Sequence, residues 1–168
     1  MTTGSSPSRR WIVRHACAGV KEEWDGDQEE RPLDAAGVEQ ARALAELLAP
    51  AGPVRLVASP TRRCIDTLAP LGAALGLAVA VEPTLRDASG EDLVRMAAAG
   101  AGVVLCTHGE VMEPALPVLR DDGLEVVGDH DDGDLLLKGA AWQLDRAGPG
   151  WRLALMAPIP LSSCPRHT

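Results

Sequence analysis

The order of apolar segments along this chain is the feature that most restricts its fold. Short apolar runs, typical of buried strands, alternate with longer segments whose apolar residues recur every three or four positions, as on amphipathic helices. The predicted strands cover residues 11–15, 54–58, 77–81, 102–106, 124–127, 134–138, 140–146 and 151–156. The predicted helices cover residues 35–48, 60–75, 91–99 and 110–119. This alternation predicts an α/β protein, a three-layer α/β/α sandwich with a mostly parallel central sheet.

Capping and turn residues mark the ends of these elements. Asp34 is a suitable N-cap for the first helix, and Ser59-Pro60 combines a cap residue with a proline at the first position of the second helix. Pro70 lies well inside that helix, where a proline is expected to kink or divide it. Gly148-Pro149-Gly150 predicts a hairpin between the last two strands.

The length of 168 residues fits one domain with a substantial core. We assign that domain to residues 10–160, between a disordered tail at residues 1–9 and a C-terminal tail at residues 161–168. The sequence contains no phenylalanine and no tyrosine, so the core is expected to consist of alanine, valine and leucine.

The charge and cysteine pattern exclude several kinds of partner. A formal net charge of −8 argues against nucleic-acid binding, which requires a basic face. The first ten residues lack the apolar region of a secretory signal, and no apolar run approaches the length of a membrane span. The four cysteines show no CxxC spacing, which favours reduced thiols in a cytoplasmic protein. The oligomeric state is not predicted by the sequence.

Polar residues that suit phosphate chemistry follow three of the predicted strands. Arg14-His15 ends the first strand, Ser59 to Arg63 follows the second, and His108 follows the fourth. The carboxyl ends of parallel strands meet at one edge of a sheet, so these segments are expected to share a crevice. Helix amino ends and arginine side chains both bind phosphate, and Arg63 lies in the first turn of a helix. Arg62 points away from that face and is expected at the surface.

This combination predicts a particular chemistry for the histidines. Nearby arginines disfavour the imidazolium form and lower the pKa of a histidine, and a neutral imidazole is a nucleophile. Attack on phosphorus suits such a group, because the arginines and the second histidine can hold the negative charge that develops on the phosphoryl oxygens.

The same segments resemble the motifs of the histidine phosphatase superfamily, which has a phosphoglycerate mutase-like fold. The matching segments are Arg14-His15-Ala16, Ser59 to Arg63 with Thr67, Thr107-His108-Gly109, and Arg31-Pro32-Leu33-Asp34 with Gly37 and Gln40. The resemblance covers roughly residues 11 to 120. It implies a phosphohistidine intermediate on His15, a phosphate pocket of Arg14, Arg63 and His108, and no metal or other cofactor. Ser59 and Gly109 complete the expected substrate-binding residues.

Within that family the chain is most similar to a small branch that includes bacterial phosphohistidine phosphatases. The branch also includes the phosphatase-like domain that follows a nudix domain in some actinobacterial hydrolases. Similarity to the latter extends to residues 24–27, 82–85 and 138–146. The implied substrate is a protein phosphohistidine or a small phosphorylated metabolite, including a nucleotide polyphosphate. The alternative is a catalytically weak module that binds phosphate or phosphoproteins.

Several roles stay open at this stage. The general acid is expected at Asp87, with Glu82 as a second candidate, and its absence would favour a labile P–N substrate. Glu110 is interpreted as a carboxylate that offsets a helix dipole, with interference with phosphate through its charge as the alternative. Residues 20–31 are interpreted as a surface loop near the site, a solvated connector in preference to a substrate-binding segment. Cys17, Cys64 and Cys106 lie near the motifs; we expect them to be apolar fillers rather than zinc ligands.

Overall fold

A single mixed sheet organises the part of the chain that the structure, a computed structural model, describes, which is residues 9–156. The strands are β1 (Arg10–Arg14), β2 (Arg55–Ala58), β3 (Val79–Val81), β4 (Val103–Thr107), β5 (Leu124–Val127), β6 (Ala141–Ala147) and β7 (Gly150–Met156). Their order in the sheet is β3-β2-β4-β1-β6-β7-β5. The pairings leave β6 as the strand that runs against the other six. The predicted tails, apart from Arg9, lie outside the described residues, as does Cys164.

Helices cover both faces of this sheet. They are α1 (Ala35–Leu48), α2 (Arg62–Leu75), α3 (Gly90–Ala99), α4 (Gly109–Met112), α5 (Ala115–Asp121) and α6 (Asp132–Leu135). Alternate side chains of β1 enter different cores, since Trp11 and Val13 pack with α1 and α2 while Ile12 packs with α3 and α5. The three-layer α/β/α fold expected from the sequence is confirmed. None of the helices within residues 9–156 has the length and apolar character needed to cross a membrane.

The first helix matches its prediction at both ends. It runs from Ala35 to Leu48, and the Asp34 side chain accepts a hydrogen bond from the Gly37 amide at 2.8 Å. The second helix begins later than predicted. Thr61 is its N-cap, and the hydroxyl of Ser59 is bonded to His108 instead of capping the helix. Pro70 does not divide this helix, because Leu68 and Leu71 are fully buried on either side of it.

Three other expectations were wrong. Residues 134–138 are predicted as a strand, but reciprocal bonds between the side chains and amides of Asp131 and Asp134 start the short helix α6, and residues 136–138 form turns after it. The helix predicted at 110–119 is interrupted at Pro114, because proline lacks the amide hydrogen needed to continue α4. Tryptophan also contributes to the core: Trp11, Trp142 and Trp151 are its largest fully buried side chains.

Candidate active site

Three neighbouring strand ends deliver the predicted site residues to one edge of the sheet. β2, β4 and β1 are adjacent and parallel, so the residues that follow them lie side by side. The structure brings together Arg14, His15, Arg63 and His108, which line a single cleft of about 330 Å³. Arg62, the neighbour of Arg63, is exposed and pairs with Asp66, as expected.

The ring of His15 is held in one orientation by the chain that follows it. Its Nδ1 lies 2.8 Å from the carbonyl oxygen of Ala16, and the residue is only 6% exposed. A carbonyl oxygen can only accept a hydrogen bond, so Nδ1 must carry the proton in this contact. The neutral ring then has its lone pair on Nε2. This is the protonation pattern that a histidine nucleophile requires.

The surroundings of His15 also favour its neutral form. Burial lowers its pKa well below the ordinary value of 6.5, and the charges of His108, Arg63 and Arg14 lower it further. The bond to the Ala16 carbonyl acts in the opposite direction but is outweighed. His15 is therefore uncharged at neutral pH, as its position among arginines predicts.

His108 faces His15 across the base of the cleft. The two ring centroids lie 5.5 Å apart, with the planes inclined at 64°. Nε2 of His108 lies 2.9 Å from the hydroxyl of Ser59 and 3.8 Å from the sulfur of Cys64. Ser59 is fully buried and lies outside the set of residues that line the cleft. Its position suits orienting His108 rather than touching a substrate.

Arg14 is anchored by residues far from it in the sequence. Its Nη1 donates a hydrogen bond to the carbonyl of Leu136, in the segment between α6 and β6. The guanidinium also lies against Gly109, where a Cβ atom would come within 2.8 Å of its central carbon. Gly109 thus provides the space that Arg14 occupies. Burial lowers the pKa of Arg14, and the nearby Glu110 carboxylate raises it.

Arg63 is positioned by the first turn of α2 and by the loop after β1. Its Nη1 donates to the carbonyl of Gln28 at 2.7 Å. The hydroxyl of Thr67 donates to the Arg63 carbonyl at 2.7 Å and accepts from the Ala16 amide at 2.9 Å. Thr67 therefore ties the helix that carries Arg63 to the residue next to His15.

The segment from Asp34 to Gln40 fixes the loop that follows His15. The other carboxylate oxygen of Asp34 accepts from the Gly19 amide at 3.1 Å, and the side-chain oxygen of Gln40 accepts from the Cys17 amide at 2.9 Å. Gly37 lies so close to the Cys17 carbonyl that a Cβ atom would come within 1.9 Å of its oxygen. These contacts give a structural role to each of Asp34, Gly37 and Gln40.

The cleft contains more residues than the sequence analysis assigned to it. Besides the four predicted residues it is lined by Gly19, Val20, Lys21, Glu22, Arg31, Glu110 and Lys138. The loop at residues 20–31, predicted to lie near the site as a connector, thus supplies part of the cleft wall. Lys138 lies in the segment 138–146 that resembles one branch of the family, and the sequence assigns it no role in the site.

The two carboxylates considered as general acids lie elsewhere. Asp87 is exposed, follows a 3-10 turn at Pro83–Arg86 and lies outside the cleft lining. Glu82 caps that turn by accepting from the Thr84 amide at 3.1 Å, and this contact lowers the pKa of Glu82. A carboxyl group that acts as a general acid needs a raised pKa, so that it holds a proton to donate. The carboxylates that do line the cleft are Glu22 and Glu110.

The cysteines near the motifs are buried in the core. Cys64 and Cys106 are free thiols, and Cys17 is disulfide-bonded, in contrast to the expectation of reduced thiols throughout. Within residues 9–156, no group of three or more histidine, cysteine, aspartate or glutamate side chains is arranged to hold a metal ion.

Comparison with known proteins identifies the family. Residues 10–98 match the histidine phosphatase superfamily (branch 1), and this chain belongs to that superfamily. A structure from Agrobacterium tumefaciens described as the phosphohistidine phosphatase SixA is 25% identical, with a TM-score of 0.69 over 92% of this chain and all of that one. A SixA structure complexed with tungstate has a TM-score of 0.66, covers 89% and 97% of the two chains, and at 20% identity supports the fold alone.

A curated relative is named for a different activity from that of the SixA proteins. The 8-oxo-(d)GTP phosphatase of Mycolicibacterium smegmatis is 34% identical over 109 residues, which cover 60% of this chain. The match spans only 34% of the length of that protein. The phosphoglycerate mutase-like fold and the phosphatase family expected from the sequence are therefore confirmed.

Proposed function

We propose that this chain is a metal-independent phosphatase that transfers a phosphoryl group first to Nε2 of His15 and then to water. The observation that carries this proposal is the contact between Nδ1 of His15 and the Ala16 carbonyl. It leaves the lone pair on Nε2, in a cleft that also presents Arg14, Arg63 and His108. The lining of the cleft contains more cations than carboxylates, which favours a phosphate anion over a metal cation.

The reaction has two steps. In the first, Nε2 bonds to phosphorus and the bond between phosphorus and the leaving group breaks, with its electron pair passing to the leaving group. In the second, water attacks phosphorus, the P–N bond breaks, and the electron pair returns to Nε2 as inorganic phosphate forms. The guanidinium groups of Arg14 and Arg63 stabilise the charge on the phosphoryl oxygens in both steps.

The position of the acidic residues narrows the substrate class. An alcohol leaves well only if an acid protonates it. Asp87 and Glu82 lie outside the cleft lining, and the two carboxylates inside it, Glu110 and Glu22, interact with the charges of Arg14 and Arg31. A substrate whose leaving group departs without strong acid assistance fits this cleft better. Two such classes are the P–N bond of a protein phosphohistidine and the P–O–P bond of a polyphosphate. Similarity to the Agrobacterium tumefaciens SixA protein supports the first, and similarity to the 8-oxo-(d)GTP phosphatase supports the second.

The proposal is tested by turnover in the presence of EDTA. We expect wild-type protein to hydrolyse p-nitrophenyl phosphate and a phosphohistidine peptide with EDTA present. Rapid acid-free quenching should trap a phosphoenzyme that is stable in base and labile in acid. A requirement for an added divalent metal would contradict the proposal. Tight binding of vanadate without turnover of either substrate would support the phosphate-binding module instead.

A pH titration tests the protonation state of His15. Because burial and the nearby cations lower its pKa, the ring should remain neutral as the pH falls through 6.5, where an exposed histidine is half protonated. The imidazole ¹⁵N shifts of the free protein measure this directly. Arg63→Met removes one of the positive charges, so the pKa of His15 should rise in that variant. Half protonation of wild-type His15 at its ordinary pKa would show that the environment is not as described.

A further inference from the structure

A second pair of cations, Arg31 and Lys138, lies in the cleft beyond the residues that the two-step reaction uses. Both line the same cavity as Arg14 and Arg63. Arg31 is only 8% exposed and is held by two bonds, from Nη1 to the Ala18 carbonyl and from Nε to the Gln28 side chain at 3.0 Å. A buried guanidinium fixed in this way is a built part of the cleft wall rather than a mobile surface charge.

The backbone at Lys138 is held by hydrogen bonds to the peptide unit that follows it. Its carbonyl accepts from the side-chain amide of Gln40 at 3.4 Å, and the Gly139 amide lies 3.2 Å from the carbonyls of both Arg14 and His15. Gly139 has a φ of +80° and packs against Gln40. The segment that carries Lys138 is therefore attached to the end of β1, next to the nucleophile.

The excess of positive charge in the cleft favours a ligand with more than one phosphate group. Its lining includes five cationic side chains, Arg14, Lys21, Arg31, Arg63 and Lys138, against the carboxylates of Glu22 and Glu110. Burial lowers the pKa of Lys138, and so do the charges of Arg14, Arg31 and Arg63, with only Asp34 opposing them. Cations gathered in this way repel one another until an anion neutralises them. In the proposed reaction Arg14, Arg63 and His108 bind the oxygens of the transferred group, which leaves Lys21, Arg31 and Lys138. Arg31 and Lys138 are the two of these whose surroundings in the cleft wall are fixed by hydrogen bonds.

We propose that Lys138 and Arg31 bind a second phosphate group that is joined to the transferred one through a bridging oxygen. The substrate is then a phosphoric anhydride, a nucleoside or inorganic polyphosphate, whose terminal phosphoryl group goes to His15. This inference rests on the proposed phosphatase function and selects the P–O–P class within it.

The anhydride reaction also agrees with the positions of Asp87 and Glu82 outside the cleft lining, because its leaving group needs no proton from either of them. Nε2 of His15 bonds to the terminal phosphorus, and the bond from that phosphorus to the bridging oxygen breaks. The electron pair stays on the bridging oxygen, which becomes a terminal oxygen of the departing phosphate. A phosphate oxygen has a pKa near 6, so it leaves without taking a proton. Lys138 and Arg31 stabilise the negative charge that appears on it.

The test compares two substrates that differ by one phosphate, ADP and AMP. Wild-type protein should have a higher kcat/KM for ADP, and Lys138→Met should lower the ratio of the ADP to the AMP value by about 10-fold to 100-fold, the effect of losing one charged contact. Lys138→Arg should restore most of that ratio, because it keeps the charge. Arg62→Met is the matched control. Arg62 is a cation of helix α2, which also carries Arg63, but it lies outside the cleft lining. The ratio of the ADP to the AMP value in this variant should equal that of wild type.

Binding without turnover separates this inference from the proposed function. Calorimetry should show that wild-type protein binds the non-hydrolysable imidodiphosphate more tightly than inorganic phosphate, and that Lys138→Met removes most of this preference. Thermal unfolding of each variant verifies that it is folded. The second phosphate site would be excluded if Lys138→Met lowered kcat/KM equally for ADP and AMP, or if it left the preference for imidodiphosphate unchanged. Absence of a phosphoenzyme together with an intact, Lys138-dependent preference would overturn only the catalytic proposal.

Discussion

Replacement of His15 by alanine is expected to abolish phosphatase turnover, with a fall in kcat of about 10⁴-fold or more, as for other enzymes that lose their nucleophile. The variant lacks the Nε2 lone pair to which phosphorus bonds, and the other residues that line the cleft do not supply a neutral ring nitrogen held in the same way. Steady-state hydrolysis of an aryl phosphate measures the loss. The phosphoenzyme trapped in wild-type protein should also disappear.

His130→Ala is the matched control for this variant. His130 lies at the surface near Asp134, remote from the cleft lining. Its removal should leave both turnover and phosphoenzyme formation unchanged. The His15→Ala protein should still bind inorganic phosphate, since Arg14, Arg63 and His108 remain. Turnover that survives in His15→Ala would exclude His15 as the nucleophile, and the mechanism proposed for this chain would be wrong.

Replacement of Gly37 by alanine is expected to be the most destabilising change among the glycines of the site. The added Cβ would lie 1.9 Å from the Cys17 oxygen and 2.9 Å from its carbonyl carbon, and both are backbone atoms. The same carbonyl accepts the Asp34 amide at 3.1 Å, so helix α1 cannot move away without losing that bond. We expect a loss of about 3 kcal/mol in the free energy of unfolding, the upper range for an overpacked core.

Thermal unfolding measures this effect, with an expected fall in Tm of about 10 °C for a chain of this size. Gly133→Ala is the matched control. Its φ is not in the left-handed region, and its Cβ would meet only the side chain of Asp131, at 3.1 Å. Because Gly37 supports the loop after His15, the first variant should also lose activity below its Tm. A Tm equal to that of Gly133→Ala would show that this loop and α1 are not packed as described.

The order of strands and helices could be predicted because it depends on local patterns. The helix at residues 35–48 was located to the residue, since its cap, its apolar spacing and the prolines after it all act within a few positions. The strands that flank the site were located within one or two residues for the same reason. The strand predicted at residues 134–138 is wrong. Hydrogen bonds between the side chains and amides of Asp131 and Asp134 stabilise a helical turn there, against the strand preference of three leucines.

The candidate site was partly predictable. Arg14, His15, Arg63 and His108 follow strands or begin a helix, so sequence position alone placed them near one sheet edge. The expected acid at Asp87 depended on matching one loop to that of other family members. The conformation of this loop is set partly by a tertiary contact, the hydrogen bond from the Thr107 hydroxyl to the Leu85 carbonyl, and Asp87 is exposed. A loop side chain has no periodic pattern from which its direction can be inferred.

The sequence by itself determined the α/β class, the convergence of three strand ends and the residue types of a phosphate site, because hydrophobic periodicity and strand direction are properties of the local chain. Only the tertiary structure decided which nitrogen of His15 is free, that Leu136 anchors Arg14, and that Lys138 joins Arg31 in the cleft. Each of these depends on where a particular carbonyl or loop lies in space. Arg14 and Leu136, for example, are separated by 122 residues, a distance over which local sequence preferences carry no information.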